Sequence, residues 1–221
     1  MHRLVLTATI EEQMDSPTDQ YPFILREAAE AYLAEGLESG RLVLSPIAAE
    51  IWRGLPPQSV RPRSKLDNPH TAVGRRSFSA SRSAATFRRD HFRCRYCGIE
   101  IVPKPIALLM HSLYPTELPF HEHYKAGCMH PLFWLRVAEA DHLVAGSVGG
   151  AWTDPANHVT ACVCCNTRKG NASLEELGWV LREPAPGWDG LVPLYHRVWD
   201  RANRPRRDFH LRWLRAFAAT E

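Results

Sequence analysis

Two pairs of closely spaced cysteines limit what this chain can fold into more than any other feature. Cys94 and Cys97 form one C-x-x-C pair, and Cys162 and Cys165 form another. Each such turn presents two thiolates from one short segment, so two turns together can complete the tetrahedral sulfur site of a structural Zn²⁺. The alternative is a pair of unrelated turns with buried free thiols. Cys164 falls outside the spacing and is predicted to be a small buried side chain.

Polar residues follow a recognisable order between the two pairs and just after them. Asp141 and His142 are adjacent, two glycines follow, Asn157 comes next, and the second cysteine pair runs into Asn166. His142, Asn157 and Asn166 are 15 and 9 positions apart. Residues 93–181 resemble the HNH endonuclease family, in its H-N-N form.

The resemblance implies a ββα-metal core of two short strands and a helix, in a chain of the α+β class. We expect a first strand over 137–144, a turn-rich loop over 147–157 and a second strand over 159–161. A helix should then run from near Cys162 to near Gly170, a suitable C-cap. So small a unit buries little apolar surface, and zinc binding would supply its folding free energy.

The same resemblance implies metal-dependent hydrolysis of phosphodiester bonds in DNA. His142 would be the general base, Asp141 and Asn166 would bind one Mg²⁺ or Mn²⁺ ion, and Asn157 would brace the loop and orient His142. A simpler reading remains open. On a regular strand Asp141 and His142 point to opposite faces, so one could be a surface carboxylate and the other a core imidazole. Asn157 could equally be a turn residue.

Charge is distributed unevenly along the chain. Residues 1–60 hold nine acidic and four basic residues, whereas residues 61–95 hold two acidic and ten basic residues. This change predicts a basic arm or linker over 61–92 that lies along a phosphate backbone, most simply that of double-stranded DNA. A solvated charged face is the alternative. The candidate nucleic-acid contacts are the cations near the core, Arg75, Arg76, Arg82, Arg93, Arg168 and Lys169.

The acidic N-terminal region, residues 1–60, is predicted to be helical. One helix should cover about 23–33 and stop at Gly36, and a second should cover 46–52 with Ser45 as its N-cap. Residues 41–44 could form a short strand between them. The acidic balance favours a cap on the core or a surface for a protein partner over a DNA-reading module.

Two other segments have no counterpart in the resemblance. Residues 101–136 look like an irregular insertion with surface histidines, and its His121, His123, Cys128 and His130 could bind a second metal ion. Residues 182–221 form a basic, aromatic-rich extension. Its large aromatics are predicted to be packed rather than to stack on bases.

Composition indicates a globular protein in a reducing compartment. Hydrophobic residues make up 45% and charged residues 23% of the chain, and four of the six cysteines have metal-binding spacing. Since no membrane span or signal peptide is evident, we expect a cytoplasmic protein without a membrane partner. The rival functions are RNA cleavage or a non-nucleolytic reaction on the same scaffold, and a zinc-stabilised binding module without catalysis.

Overall fold

The computed structural model describes residues 17–54 and 78–219, which form a mixed α+β fold. The helices are α1 (Tyr21–Glu35), α2 (Leu37–Leu44), α3 (Ala80–Arg89), α4 (Lys104–Leu113), α5 (Leu132–Leu135), α6 (Val163–Lys169), α7 (Leu174–Leu177), α8 (Val192–Arg201) and α9 (Arg207–Ala218). The strands are β1 (Val102–Pro103), β2 (Val137–His142) and β3 (His158–Cys162). No helix in the described ranges has the length and apolarity needed to cross a membrane.

The three strands form one small sheet in the order β1-β2-β3. Strand β1 pairs with β2 in parallel, and β2 pairs with β3 in antiparallel register, so that His142 lies opposite His158. Helix α6 follows β3 directly, which completes a ββα unit. The predicted strands and helix agree with these bounds to within two residues, and Gly170 caps α6 as expected.

One buried apolar cluster contains residues from all four predicted segments, for example Leu25, Phe87, Phe133 and Tyr195. The aromatic side chains of the C-terminal extension pack as predicted, since Trp188, Tyr195 and Trp199 are buried and Trp213 is partly buried. The segments therefore share a core.

The N-terminal prediction is right for α1, which ends at Gly36, and wrong for residues 41–52. Residues 41–44 form the last part of α2 rather than a strand, and a single 3₁₀ turn, Ser45–Ile47, replaces the helix expected over 46–52. Backbone hydrogen bonds to residues distant in the sequence explain why no helix forms over 46–52. The backbone N–H of Ala49 donates to Glu117 O (2.9 Å) and that of Trp52 donates to Met129 O (2.8 Å).

The described part of the predicted basic arm is also ordered. Residues 80–89 form α3, where the Ser79 side chain accepts the Arg82 N–H and Phe87 is buried. Sequence reasoning missed this helix because it considered only the arginines. Ala84 and Phe87 are both buried and belong to its apolar face. Residues 61–77 lie outside the described residues.

The segment 101–136 is only partly the irregular surface insertion that the sequence predicts: α4 and α5 belong to the core, whereas residues 114–131 form neither helix nor strand and include the exposed His123. Leu109 and Met110 on α4 and Phe133 on α5 are buried, and so is His130, whose Nε2 contacts Ile47 O at 2.9 Å. Its apolar residues at helical spacing fill the space between β1, β2 and the N-terminal helices.

Candidate functional site

The predicted convergence of four cysteines is confirmed. The Sγ atoms of Cys94, Cys97, Cys162 and Cys165 all lie within 4.8 Å of one another, and each residue is 8% exposed or less. A tetrahedral Zn²⁺ with bonds of about 2.3 Å needs sulfur–sulfur distances of roughly 3.8 Å, which this cluster can reach with small adjustments. We refer to these four residues as the cysteine cluster. Among the described residues it is the one group of three or more metal-binding side chains.

Local backbone geometry builds both halves of the cluster. Gly98 N–H donates to Cys94 O (2.7 Å) in a tight turn, where Gly98 adopts a φ of 83°, a region that favours glycine. Cys162 is the N-cap of α6, and its Sγ accepts the Cys165 N–H (3.3 Å).

Hydrogen bonding couples the thiols of the cluster. Burial raises the pKa of Cys94, but hydrogen bonds from Cys162, Cys165 and Cys97 outweigh burial and lower it overall. Hydrogen bonding, first of all with Cys165, raises the pKa of Cys162. One negative sulfur is thus favoured in a cluster of thiols, and the donor set suits a soft divalent cation.

Asn157 holds the loop between β2 and β3. Its side-chain oxygen accepts the Val144 N–H (2.8 Å), and its amide nitrogen donates to Val144 O (3.0 Å) and Ala151 O (2.9 Å). Gly150 lies so close to the Val144 carbonyl that a Cβ would have no room. The loop therefore has a fixed shape where it passes the end of β2.

His142 lies at that end of β2 and contacts the loop. Its Nε2 is 3.3 Å from the backbone oxygen of Trp152, and the Trp152 ring packs edge-on against the imidazole at 4.9 Å. The Phe78 ring also packs on the imidazole, with the two ring centroids 4.5 Å apart. Burial is the main cause of a lowered pKa for His142, so the neutral imidazole is favoured.

His158, directly across the sheet, approaches the same acceptor. Its Nε2 is 3.1 Å from Trp152 O, and its ring contacts Phe78 and His142. The His158 side chain is buried. The register of the two strands is what pairs the histidines.

Asp141 points into the protein, where its carboxylate has three partners. Its Oδ2 accepts the Tyr96 hydroxyl (2.7 Å) and lies 3.2 Å from the Lys169 ammonium, while its Oδ1 accepts the His142 N–H (2.8 Å). Burial raises the pKa of Asp141, and the cation and hydrogen bonds oppose that rise.

Lys169 is 0% exposed, and its ammonium also donates to His142 O (2.7 Å). This burial removes Lys169 from the candidate nucleic-acid contacts. The lysine instead ties the end of α6 to the end of β2.

Asn166 contacts β2 through a residue that sequence reasoning missed. Its amide nitrogen donates to Glu139 Oε2 at 2.6 Å. Glu139 is two positions before Asp141 on β2, and strand alternation places the two carboxylates on one face. The two-residue spacing between Glu139 and Asp141 in the predicted strand was the sequence signal that could have identified Glu139.

The candidate nucleic-acid contacts have different environments. Arg82 is exposed and Arg168 is half-buried, whereas Arg93 is held by Glu100 (2.7 Å) and Ala185 O (2.9 Å). Those contacts make Arg93 a structural residue in this fold. Arg75 and Arg76 lie outside the described residues.

The second metal site does not assemble in the described residues. His130 is fully buried and hydrogen-bonded to backbone, whereas Cys128 is exposed. The ring centroids of His121 and His123 are 5.7 Å apart, and neither residue belongs to a group of three potential metal ligands among the described residues.

Comparison with known proteins found no matching family model, curated protein or solved structure. The functional argument therefore depends on the residues and their geometry.

Proposed function

We propose that the protein is a metal-dependent endonuclease of the HNH type, hydrolysing phosphodiester bonds in DNA with His142 as general base. The observation that carries this proposal is the contact between His142 Nε2 and Trp152 O, on a loop held by Asn157. A general base must be held in one position. The loop of fixed shape does this for the half-buried imidazole of His142 at the end of β2.

The contact also selects the reactive nitrogen of His142. A carbonyl oxygen can only accept a hydrogen bond, so Nε2 must carry the proton. In the neutral ring Nδ1 is then unprotonated and can take a proton from an attacking water. The lowered pKa of His142 keeps this form populated at neutral pH.

The oxygen donors for a catalytic ion are Asp141 and Asn166. A carboxylate offers about four acceptor positions, and Asp141 uses three in its contacts with Tyr96, Lys169 and the His142 N–H. Asn166 uses its amide nitrogen on Glu139, so its oxygen is left for an ion. A bound Mg²⁺ or Mn²⁺ would stabilise the negative charge that develops on the phosphate.

Positive charge for the DNA backbone is available on the same side of the molecule as Phe78. Phe78 packs on His142, and α3 starts two residues later with Arg82 exposed in its first turn. An arginine there suits a phosphate next to the one being cut.

A second candidate is a zinc-stabilised binding module without catalysis. It is favoured by the buried ion pair between Lys169 and Asp141, which already neutralises the carboxylate. Under this reading Asp141 holds β2 and α6 together and binds no ion.

Cleavage of supercoiled plasmid separates the two candidates. Mg²⁺ or Mn²⁺ should be omitted rather than chelated, since EDTA could also remove zinc from the cysteine cluster. We expect ion-dependent nicking by the wild type and a rate at least about 100-fold lower for His142→Ala, with zinc content and melting temperature retained. His196→Ala, an exposed histidine on α8, is the matched control and should cut normally.

Wild-type cleavage by His142→Ala would exclude His142 as the base. A wild type that binds DNA but cuts neither DNA nor RNA with either ion would establish the binding module. If the protein cleaves RNA but not DNA, the proposed substrate is wrong and the proposed mechanism stands.

A further inference from the structure

A cavity of about 360 Å³ lies beside the cysteine cluster. Its volume is in the range of small-molecule sites, which start at about 300 Å³. Ile51, Trp52, Ile99 and Leu135 form apolar walls, and sulfur-bearing residues of the cluster form another. None of His142, Asp141 or Asn166 lines this cavity, so it is separate from the proposed catalytic residues.

Two cations of the lining have no hydrogen-bond or ion-pair partner in the part of the chain that the structure describes. Arg53 is exposed and Arg168 is half-buried, and neither makes a hydrogen bond or ion pair with any described residue. The third arginine of the lining, Arg136, is already held by Asp19 and by Thr18 O. Guanidinium groups bind phosphate and carboxylate in two-pronged fashion, so the two unpaired arginines favour an anionic ligand.

The wall also offers groups suited to a flat nitrogen-containing ring. Trp52 belongs to the lining and supplies an indole ring. Glu50 accepts the Tyr21 hydroxyl through Oε2 (2.6 Å), which leaves Oε1 to accept another N–H. A ring that packs on the indole and donates an N–H to Glu50 fits these two groups.

We propose that this cavity binds a nucleotide, with the base against Trp52 and Glu50 and the phosphate at Arg53 and Arg168. An aromatic surface, one carboxylate acceptor and two guanidinium groups match a flat ring that donates a hydrogen bond and is joined to an anionic group. The nucleotide can be a free monophosphate or one turned out of a DNA strand. Only the second source rests on the proposed endonuclease function.

A ligand bound in the cavity would influence the proposed catalytic residues through α6. Arg168 stands two positions after Asn166 and one before Lys169, and all three belong to this short helix. A phosphate held by Arg168 would fix the helix that carries both of those residues.

Calorimetric titration tests the proposal without any cleavage. The probes are the four deoxynucleoside 5′-monophosphates, the corresponding deoxynucleosides and inorganic phosphate, with no divalent ion added. We expect at least one monophosphate to bind with Kd below about 1 mM, and the nucleoside and phosphate alone to bind at least tenfold more weakly. Arg168→Gln and Trp52→Leu should each weaken that binding about tenfold, whereas Arg197→Gln, an exposed arginine on α8 outside the cavity, should not.

Zinc content and circular dichroism establish that each variant is folded. If Trp52→Leu fails to fold, Glu50→Gln removes the carboxylate charge of the lining at nearly unchanged side-chain size, and it should also weaken binding. The proposal is overturned if no monophosphate binds below about 1 mM, or if Arg168→Gln and Arg197→Gln bind equally well.

A competition experiment identifies the source. A short duplex should displace the monophosphate if the cavity takes a nucleotide from DNA, and Arg168→Gln should weaken this displacement more than Arg197→Gln. A duplex that leaves the monophosphate bound assigns the cavity to free nucleotides. Because binding is measured directly, a protein that cuts nothing could still pass this test.

Discussion

At the scale of single residues, buried charge is concentrated where β2 meets α6. Asp141, Lys169 and Tyr96 form one contact network, with Lys169 fully buried and Asp141 11% exposed at its side chain. Removing one member of a buried ion pair leaves the other without compensation, which costs more than removing both. The network therefore predicts unequal effects of single and double substitutions.

We expect Lys169→Met to lower the free energy of unfolding by about 3–5 kcal/mol. The double variant Lys169→Met/Asp141→Asn should recover part of this loss, since no lone carboxylate stays buried. Urea unfolding measures both. Lys125→Met, at an exposed position, is the matched control and should change stability by less than about 0.5 kcal/mol. If Lys169→Met lowers the free energy of unfolding no more than Lys125→Met does, the ion pair does not stabilise the fold.

His210 predicts a pH dependence. Burial, with a smaller effect of Arg206, lowers its pKa to about 4, against about 6.5 in an unfolded chain. Between those values the unfolded chain binds the extra proton, so stability falls as pH drops through that range. His210→Gln should reduce the loss of melting temperature between pH 7 and pH 5, and His196→Gln should not. Equal slopes for wild type and His210→Gln would contradict the prediction.

At the scale of secondary structure elements, α6 is fastened at both ends. Cys162 and Cys165 join its start to the cysteine cluster, and Lys169 joins its end to β2. A seven-residue helix has little stability of its own. Its position therefore depends on these attachments, and with it the position of Asn166.

We expect Cys162→Ser to abolish zinc binding and with it the folded state at 25 °C. Structural zinc can contribute about 10 kcal/mol or more, comparable to the whole stability of a domain. Cys164→Ser changes the adjacent thiol outside the cluster and should keep both zinc and fold. Metal analysis and circular dichroism measure the two variants, and zinc retained at full occupancy by Cys162→Ser would contradict this assignment.

At the scale of the whole molecule, many cations of the basic stretch hold the fold together. Asp90 is fully buried and binds Arg89 (3.0 Å), Arg95 (3.1 Å) and the Thr160 N–H (2.8 Å). Arg88 donates to Ala216 O on α9 (2.7 Å). The net positive charge of this stretch therefore exceeds the number of cations that are available to contact a phosphate.

Arg82→Gln and Arg95→Gln should separate these two uses of arginine. Arg82 is exposed, so its loss should weaken DNA binding on all sequences and lower the salt slope by about 0.9 for one phosphate contact. Arg95→Gln should leave the slope unchanged and cost about 1–3 kcal/mol of stability. Binding measured at several salt concentrations, with urea unfolding in parallel, checks both. The reverse pattern would place the DNA on another surface.

Features fixed by short-range spacing could be read from the sequence. Each C-x-x-C pair and the end of α6 at Gly170 depend on residues a few positions apart. The meeting of the two pairs and the ββα unit were expected from the resemblance to a family motif. Long-range contacts could not be read in this way. Ala49 and Trp52 pair with residues 117 and 129, and Lys169 is buried only because β2 lies across it.

The candidate cavity shows the same limit. Its lining comes from separate stretches of chain, near residues 18–21, 50–54, 97–99, 131–136 and 162–168. No local pattern links Arg53 with Arg168. Only the fold shows that both arginines line one space and have no partner among the described residues.

The cysteine cluster also has a consequence for how the protein is made. Cys97 and Cys162 are 65 positions apart, so at about 5–20 residues per second the ribosome needs about 3–13 s to add the second pair after the first. During that interval Cys94 and Cys97 can hold an ion by two bonds at most. The nascent chain must therefore keep two thiols reduced before the rest of their site exists.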